Sequence, residues 1–194
     1  MSTPLFMEKE EDYNYFMVTV ILPGYSAHNK DWLEETARTI NVEGEVRAVY
    51  WDHWTDSEKK FDAKEKGRLI NDIAGVRATD IIAKSIGTLV AAYMILGSPA
   101  KIHKVILCGI PFNDISEGDK EIIKLALKSV PPKSVICFQN EEDPHGTFDQ
   151  VNNFLSDFDC NIEVISKSRS DHEYPYVDEF KKFLLGVALL PDFV

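Results

Sequence analysis

The sequence predicts an α/β protein, a three-layer αβα sandwich around a mainly parallel six-stranded sheet. Three observations carry this. Six short apolar, β-branched runs recur along the chain; helical segments separate them; and most runs are continuously apolar rather than alternating, the pattern of strands covered on both faces.

The first strand reads over Phe16–Leu22 and ends in the loop Pro23-Gly24-Tyr25. A helix follows over Asp31–Ile40, with Asn29 placed to cap it. The second strand spans Val46–Trp51. Glu58–Ile73 sets Phe61, Leu69, Ile70 and Ile73 at helical spacing, and the charged region Thr55–Lys66 reads as a solvated loop and helix face. Strand three, Thr79–Ala83, turns at once into an almost wholly apolar helix, Ile86–Leu96, stopped by Gly97-Ser98-Pro99. Strand Lys104–Ile110, helix Asp119–Leu127, strand Ser134–Gln139, helix Thr147–Phe158 with Thr147 as cap, strand Asn161–Ser166 and helix Tyr176–Leu185 complete the set. One domain over 1–194, with its core at about 16–185, suits a chain of 194 residues.

Right-handed crossovers put the C-terminal end of every strand on one edge of such a sheet, and ligands bind there. Pro23-Gly24-Tyr25, Ser85, Asp143 and His172 each follow a strand, so the topology gathers residues that are far apart in sequence. Ser85 lies in Ala83-Lys84-Ser85-Ile86-Gly87, between small residues at a strand-to-helix turn, where a hydroxyl can be held out as a nucleophile. A serine hydroxyl is weak at neutral pH and needs a base, for which neutral imidazole of His172 is the candidate. Asp143 would orient that imidazole, with Glu141, Glu142 and Asp171 as nearby rivals. Lys84 either faces the pocket or reaches solvent, and takes no role. Asp143 and His145 alone do not make a metal site, since no third ligand stands at a recognisable spacing. His28, His53 and His103 read as structural or solvated. Trp51, Trp54 and Tyr25 are candidates for an apolar wall, or for simple packing.

In these residues the chain resembles the alpha/beta-hydrolase superfamily, and within it the small serine hydrolases without a lid. Ala83 stands where the Gly-x-Ser-x-Gly pattern has its first glycine, and Gly87 keeps the second. The resemblance implies the triad Ser85, Asp143 and His172, an oxyanion hole from backbone N–H groups of Ile86 and Tyr25 or Gly24, and no cofactor or metal. Pro23 has no N–H to give. The segment before Phe16 is too short for the family's leading antiparallel pair, and Pro111–Gly118 is too short for a lid, so an open site is expected. The function so implied is cleavage of an ester or related acyl bond in a small molecule. A binding protein that keeps the fold with a drifted site is the competing reading. A nucleotide-binding sheet is disfavoured, because neither Gly-x-Gly-x-x-Gly nor Gly-Lys-Ser/Thr occurs.

With 21 Lys and Arg against 32 Asp and Glu, the formal charge is −11, which repels nucleic acid and anionic membrane. Cys108, Cys137 and Cys160 are odd in number, with no Cys-x-x-Cys pair, and fit a reducing cytoplasm. Met1–Tyr15 lacks a cationic segment followed by an apolar core, so no secretory signal is expected, and no run reaches the ~20 residues of a membrane span.

Overall fold

A computed structural model describes residues 17–98, 101–156 and 161–187. Phe16, Pro99 of the expected helix stop, residues 157–158 of the expected helix Thr147–Phe158, and Cys160 lie outside them. The strands are β1 (Met17–Leu22), β2 (Glu45–Ala48), β3 (Ala78–Lys84), β4 (Ile102–Cys108), β5 (Val135–Asn140) and β6 (Glu163–Lys167). They form one sheet in the order β2-β1-β3-β4-β5-β6, every pair parallel. The helices are α1 (Lys30–Thr39), α2 (Ala63–Ala74), α3 (Gly87–Gly97), α4 (Glu117–Lys128), α5 (Phe148–Ser156) and α6 (Val177–Leu184).

Two apolar layers explain the continuous apolar stretches within the central strands. Leu33 of α1 and Phe180 and Leu184 of α6 pack with Ile21, Ile82, Ile106, Ile136 and Phe138 on one face. On the other, α2, α3, α4 and α5 bring Ile70, Val90, Met94, Ile123 and Val151 against Val20, Ile81, Val105 and Cys137. Alternate residues of each strand thus enter opposite cores, and the continuous apolar runs follow from that.

Several boundaries move for local reasons. The second strand is shorter than Val46–Trp51: only Glu45–Ala48 pair with β1, and Trp51 leaves the sheet to give its indole N–H to the Gly24 carbonyl at 2.9 Å. Helix α2 starts at Ala63 rather than Glu58, because the Asp62 carboxylate caps it, accepting from the Glu65 N–H at 2.9 Å. The residues before it stay irregular, with Phe61 edge-on to Trp51 and His53, ring centroids 5.4 Å from each. Helix α4 begins earlier than Asp119, since Ser116 and Asp119 form a reciprocal capping box. Asn29 does stand at the start of α1, yet its side chain donates to the Ser26 carbonyl instead of capping. Thr147 caps α5 through its hydroxyl, which accepts from the Gln150 N–H at 3.3 Å.

Candidate active site

The strand order reverses between β1 and β3, and the crevice at such a point lies at the C-terminal strand ends. Leu22 and Ala83 are register partners there. At the next turn Ser85 has φ +55°, a left-handed backbone that costs a non-glycine residue about 1–2 kcal/mol. The sheet imposes it: the Ser85 N–H still bonds the Cys108 carbonyl of β4 at 2.9 Å, while the Ser85 carbonyl already receives the Thr88 N–H at 2.9 Å and its hydroxyl at 2.7 Å. One residue therefore ends a strand and begins a helix. Gly87 makes the turn possible, because a Cβ there would lie 2.5 Å from the Leu22 carbonyl oxygen and 2.8 Å from that of Pro23.

The loops after β5 and β6 supply the other two groups. Nδ1 of His172 lies 2.7 Å from Oδ2 and 3.0 Å from Oδ1 of Asp143, whose side chain is fully buried. Asp143 accepts two more bonds, from the Tyr174 hydroxyl at 2.5 Å and from the His145 N–H at 2.8 Å. Burial alone would raise this carboxyl, but the bonds from His172, Tyr174 and the His145 N–H outweigh it and hold it below the usual carboxylate range. Conversely, burial first and the Asp143 carboxylate second push the Tyr174 phenol far above its ordinary value, so it stays a donor. Gly109, at φ +61°, leaves room for that ring: a Cβ would sit 2.4 Å from it.

Two of the three rival carboxylates are engaged elsewhere. Glu141 accepts from the hydroxyls of Ser166 and Ser168, and Asp171 pairs with Arg169 at 2.5 Å. Nε2 of His172 is buried and makes no hydrogen bond, so the structure brings His172 to Asp143 but does not bond Ser85 to His172.

The loop after β1 is held by aromatic donors. Trp51 bonds the Gly24 carbonyl, while Trp54 Nε1 at 2.7 Å and His53 Nε2 at 2.8 Å converge on the Tyr25 carbonyl. In a trans peptide the C=O and the following N–H point opposite ways, so the Tyr25 N–H is turned away from Trp51. Neither Tyr25 nor Ile86 gives its N–H to a protein acceptor among the described residues. Trp51, 1% exposed, is thus a loop anchor and no part of an acyl wall. Tyr25 itself is exposed and stacks on His53, ring centroids 4.5 Å apart.

His145 is the residue the sequence under-reads. Its ring lies against that of His172, centroids 4.4 Å apart, and Nδ1 is 2.5 Å from Oδ2 of Asp114. No signal in the sequence tells that the loop after β4 docks there, although the Asp143-x-His145 spacing marks the residue. Among the described residues no cluster of three or more His, Cys, Asp or Glu side chains can hold a metal, and no helix is long and apolar enough to cross a membrane. Cys108 and Cys137 are buried free thiols raised by burial, hence unreactive. A groove of about 860 Å³ between α2, α3 and α4, lined by Arg68, Tyr93, Leu96 and Ile122, holds none of the residues around Ser85.

No protein-family profile and no curated protein matches the chain. Solved structures do. A serine hydrolase without a lid from Xanthomonas campestris superposes with TM-score 0.60 at 13% identity, over 91% of this chain and 85% of that one. Mouse alpha/beta hydrolase domain-containing protein 10 gives 0.57 at 13% over 87% and 88%, and a pyrethroid hydrolase from Sphingobium faniae 0.58 at 10% over 88% and 95%. The fold is therefore the alpha/beta-hydrolase fold. It takes the form without a lid, since the chain passes from β4 to α4 through residues 109–116 alone.

Proposed function

We propose that the protein is a serine hydrolase that cleaves an ester or related acyl bond of a small molecule through an acyl-serine intermediate. The observation that carries this is the coincidence, at one sheet edge, of a strained Ser85 and a buried Asp143 paired with His172. Structural strain at a non-glycine residue needs a reason, and presenting a nucleophile is one.

In the proposed cycle, Ser85 Oγ attacks the acyl carbon as His172 Nε2 takes its proton, and Asp143 keeps Nδ1–H in the required tautomer. That tautomer leaves Nε2 as the basic nitrogen. The oxyanion takes N–H groups of Tyr25 and Ile86, with Gly24 as the alternative donor, each worth roughly 3 kcal/mol in the transition state. Collapse breaks the bond to the leaving oxygen, which departs with the proton from His172. Water, deprotonated by His172, then attacks the acyl-serine, and the acid leaves as Ser85 recovers its proton. The Ser85–His172 bond closes when substrate binds, since such bonds are often open without ligand.

The test is labelling with a fluorophosphonate followed by peptide mapping. Wild-type protein should be modified at Ser85, and Ser85→Ala should lose both labelling and hydrolysis of short-chain aryl esters, by about 10^6 in kcat. Labelling at another residue, or none with folded protein, overturns the assignment.

A further inference from the structure

Lys84 is the anomaly beside the nucleophile. Its side chain is only 2% exposed, and a buried ammonium is costly unless paired. Strand alternation sends it to the layer of α1 and α6, the same side as Ile82 and opposite to Ala83. There its Nζ lies 3.0 Å from Oε2 of Glu173 and 5.6 Å from the centre of the Trp32 ring. Trp32 in turn gives its indole N–H to the Tyr174 carbonyl at 2.8 Å.

The bridge is placed with a particular consequence. Lys84 precedes Ser85, and Glu173 follows His172. A bond between 84 and 173 therefore ties the nucleophile's strand directly to the base's loop, one residue away from the pair that must react. The loop around His172 has no regular secondary structure of its own, so side-chain bonds set its position. The partners are also unequal. Glu173 is 62% exposed, so the protein spends a buried charge to capture a carboxylate that water would otherwise hold.

We propose that Lys84 is a positioning residue for the reaction proposed above, setting the distance between Ser85 and His172 by holding Glu173. It touches neither substrate nor reacting atoms. Its effect belongs to kcat, since a misplacement of about 1 Å between reacting groups costs on the order of 100-fold.

Lys84→Met, Glu173→Gln and the double variant test this by ester kinetics, thermal midpoint and the low-field NMR signal of the His172 Nδ1–H. Lys84→Met keeps the side-chain volume and strands no buried charge, because Glu173 is exposed; replacing a buried ion by an apolar side chain is often neutral or stabilising. The expected result is a kcat lowered roughly 30- to 100-fold with KM within about threefold, an unchanged or higher midpoint, and a broadened imidazole signal. Glu173→Gln, which keeps an acceptor, should lose about tenfold, and the double variant should match Lys84→Met, as for two residues acting as one unit. A wild-type kcat and an unaltered imidazole signal in Lys84→Met overturn the proposal while leaving the hydrolase reading intact. So does an activity loss that follows loss of the fold, with Glu173→Gln at wild-type rate. If wild-type protein hydrolyses no ester, the imidazole signal alone decides: broadening in Lys84→Met supports the positioning role, and persistence overturns it.

Discussion

Tyr174→Phe isolates the contribution of one hydroxyl to the carboxylate of Asp143, the partner of the proposed base His172. The substitution removes a single oxygen, keeps the ring against Gly109, and breaks two bonds: the 2.5 Å donation to Asp143 Oδ2 and the 3.2 Å acceptance from the Asn140 N–H. A hydrogen bond to a charged group contributes about 1.5–3 kcal/mol, and an orphaned buried N–H costs about 1–3 kcal/mol, so the variant should lose roughly 3–5 kcal/mol. For a chain of this length that is a fall in Tm of about 8–15 °C. Catalysis should suffer far less. Asp143 keeps both contacts to His172 and the bond from the His145 N–H, so kcat should stay within about tenfold, 1.4 kcal/mol or less.

The pH dependence gives an independent check on sign. Asp143 has a lowered folded pKa, so its ionisation stabilises the fold above the unfolded carboxyl value, and that stabilisation is lost as pH falls through the folded one. Without the phenol the folded value lies closer to normal. The stability gap between wild type and Tyr174→Phe should therefore be widest at neutral pH and narrow on acidification through the carboxylate range. Urea unfolding from pH 3 to 7, with ester kinetics at pH 7, measures both effects. A Tm loss below about 3 °C, or a kcat loss of 10^3 or more, would refute the view that the phenol stabilises the carboxylate without directing the base.

Asp143→Asn should preserve the fold yet leave His172 in the wrong tautomer, lowering kcat by about 10^4, while Glu141→Gln, Glu142→Gln and Asp171→Asn stay within about tenfold; collapse of one of these with an active Asp143→Asn would reassign the acid. Ser85→Gly should be more stable than Ser85→Ala by about 1 kcal/mol in chemical denaturation, because only glycine relieves the +55° backbone; equal midpoints would mean the turn is unstrained.

The alternation of elements is legible because strands covered on both faces are apolar over most of their length, and the spacing of Ser85, Asp143 and His172 follows from where strands end. Boundaries slipped where tertiary contacts override local pattern. Trp51 continues a β-like run but is drawn off the sheet by the Gly24 carbonyl, and Phe61 fits a helical stripe but packs with Trp51 and His53 in an irregular segment. Lys84 was ambiguous for a similar reason. In a strand covered on both faces the sequence shows no solvent side, so nothing local distinguishes a lysine that reaches water from one that meets Glu173. His145 needed the docking of one loop on another, where the Asn113 N–H bonds the His145 carbonyl at 2.9 Å, and such long-range pairing leaves no periodic trace.

Ser85 and His172, the proposed nucleophile and base, are fixed by different physics, which sets how each will tolerate change. Ser85 is held by backbone: a sheet bond on one side, a helix turn on the other, and a glycine contact that admits no Cβ. His172 is held by side chains. Asn140, at the end of β5, gives its amide to the carbonyls of Asp171 at 2.8 Å and Glu173 at 2.9 Å and accepts the Tyr176 hydroxyl at 2.7 Å, so its polar atoms are satisfied within the protein. A network in which every member is paired specifies one arrangement, and one in which a member is missing costs more than the single bond lost. Substitutions near Ser85 should therefore act through strain and vary with the size of the residue introduced. Those around His172 should act together, with Asn140, Tyr174, Tyr176 and Lys84 showing coupled effects in double-mutant cycles although none of them reacts.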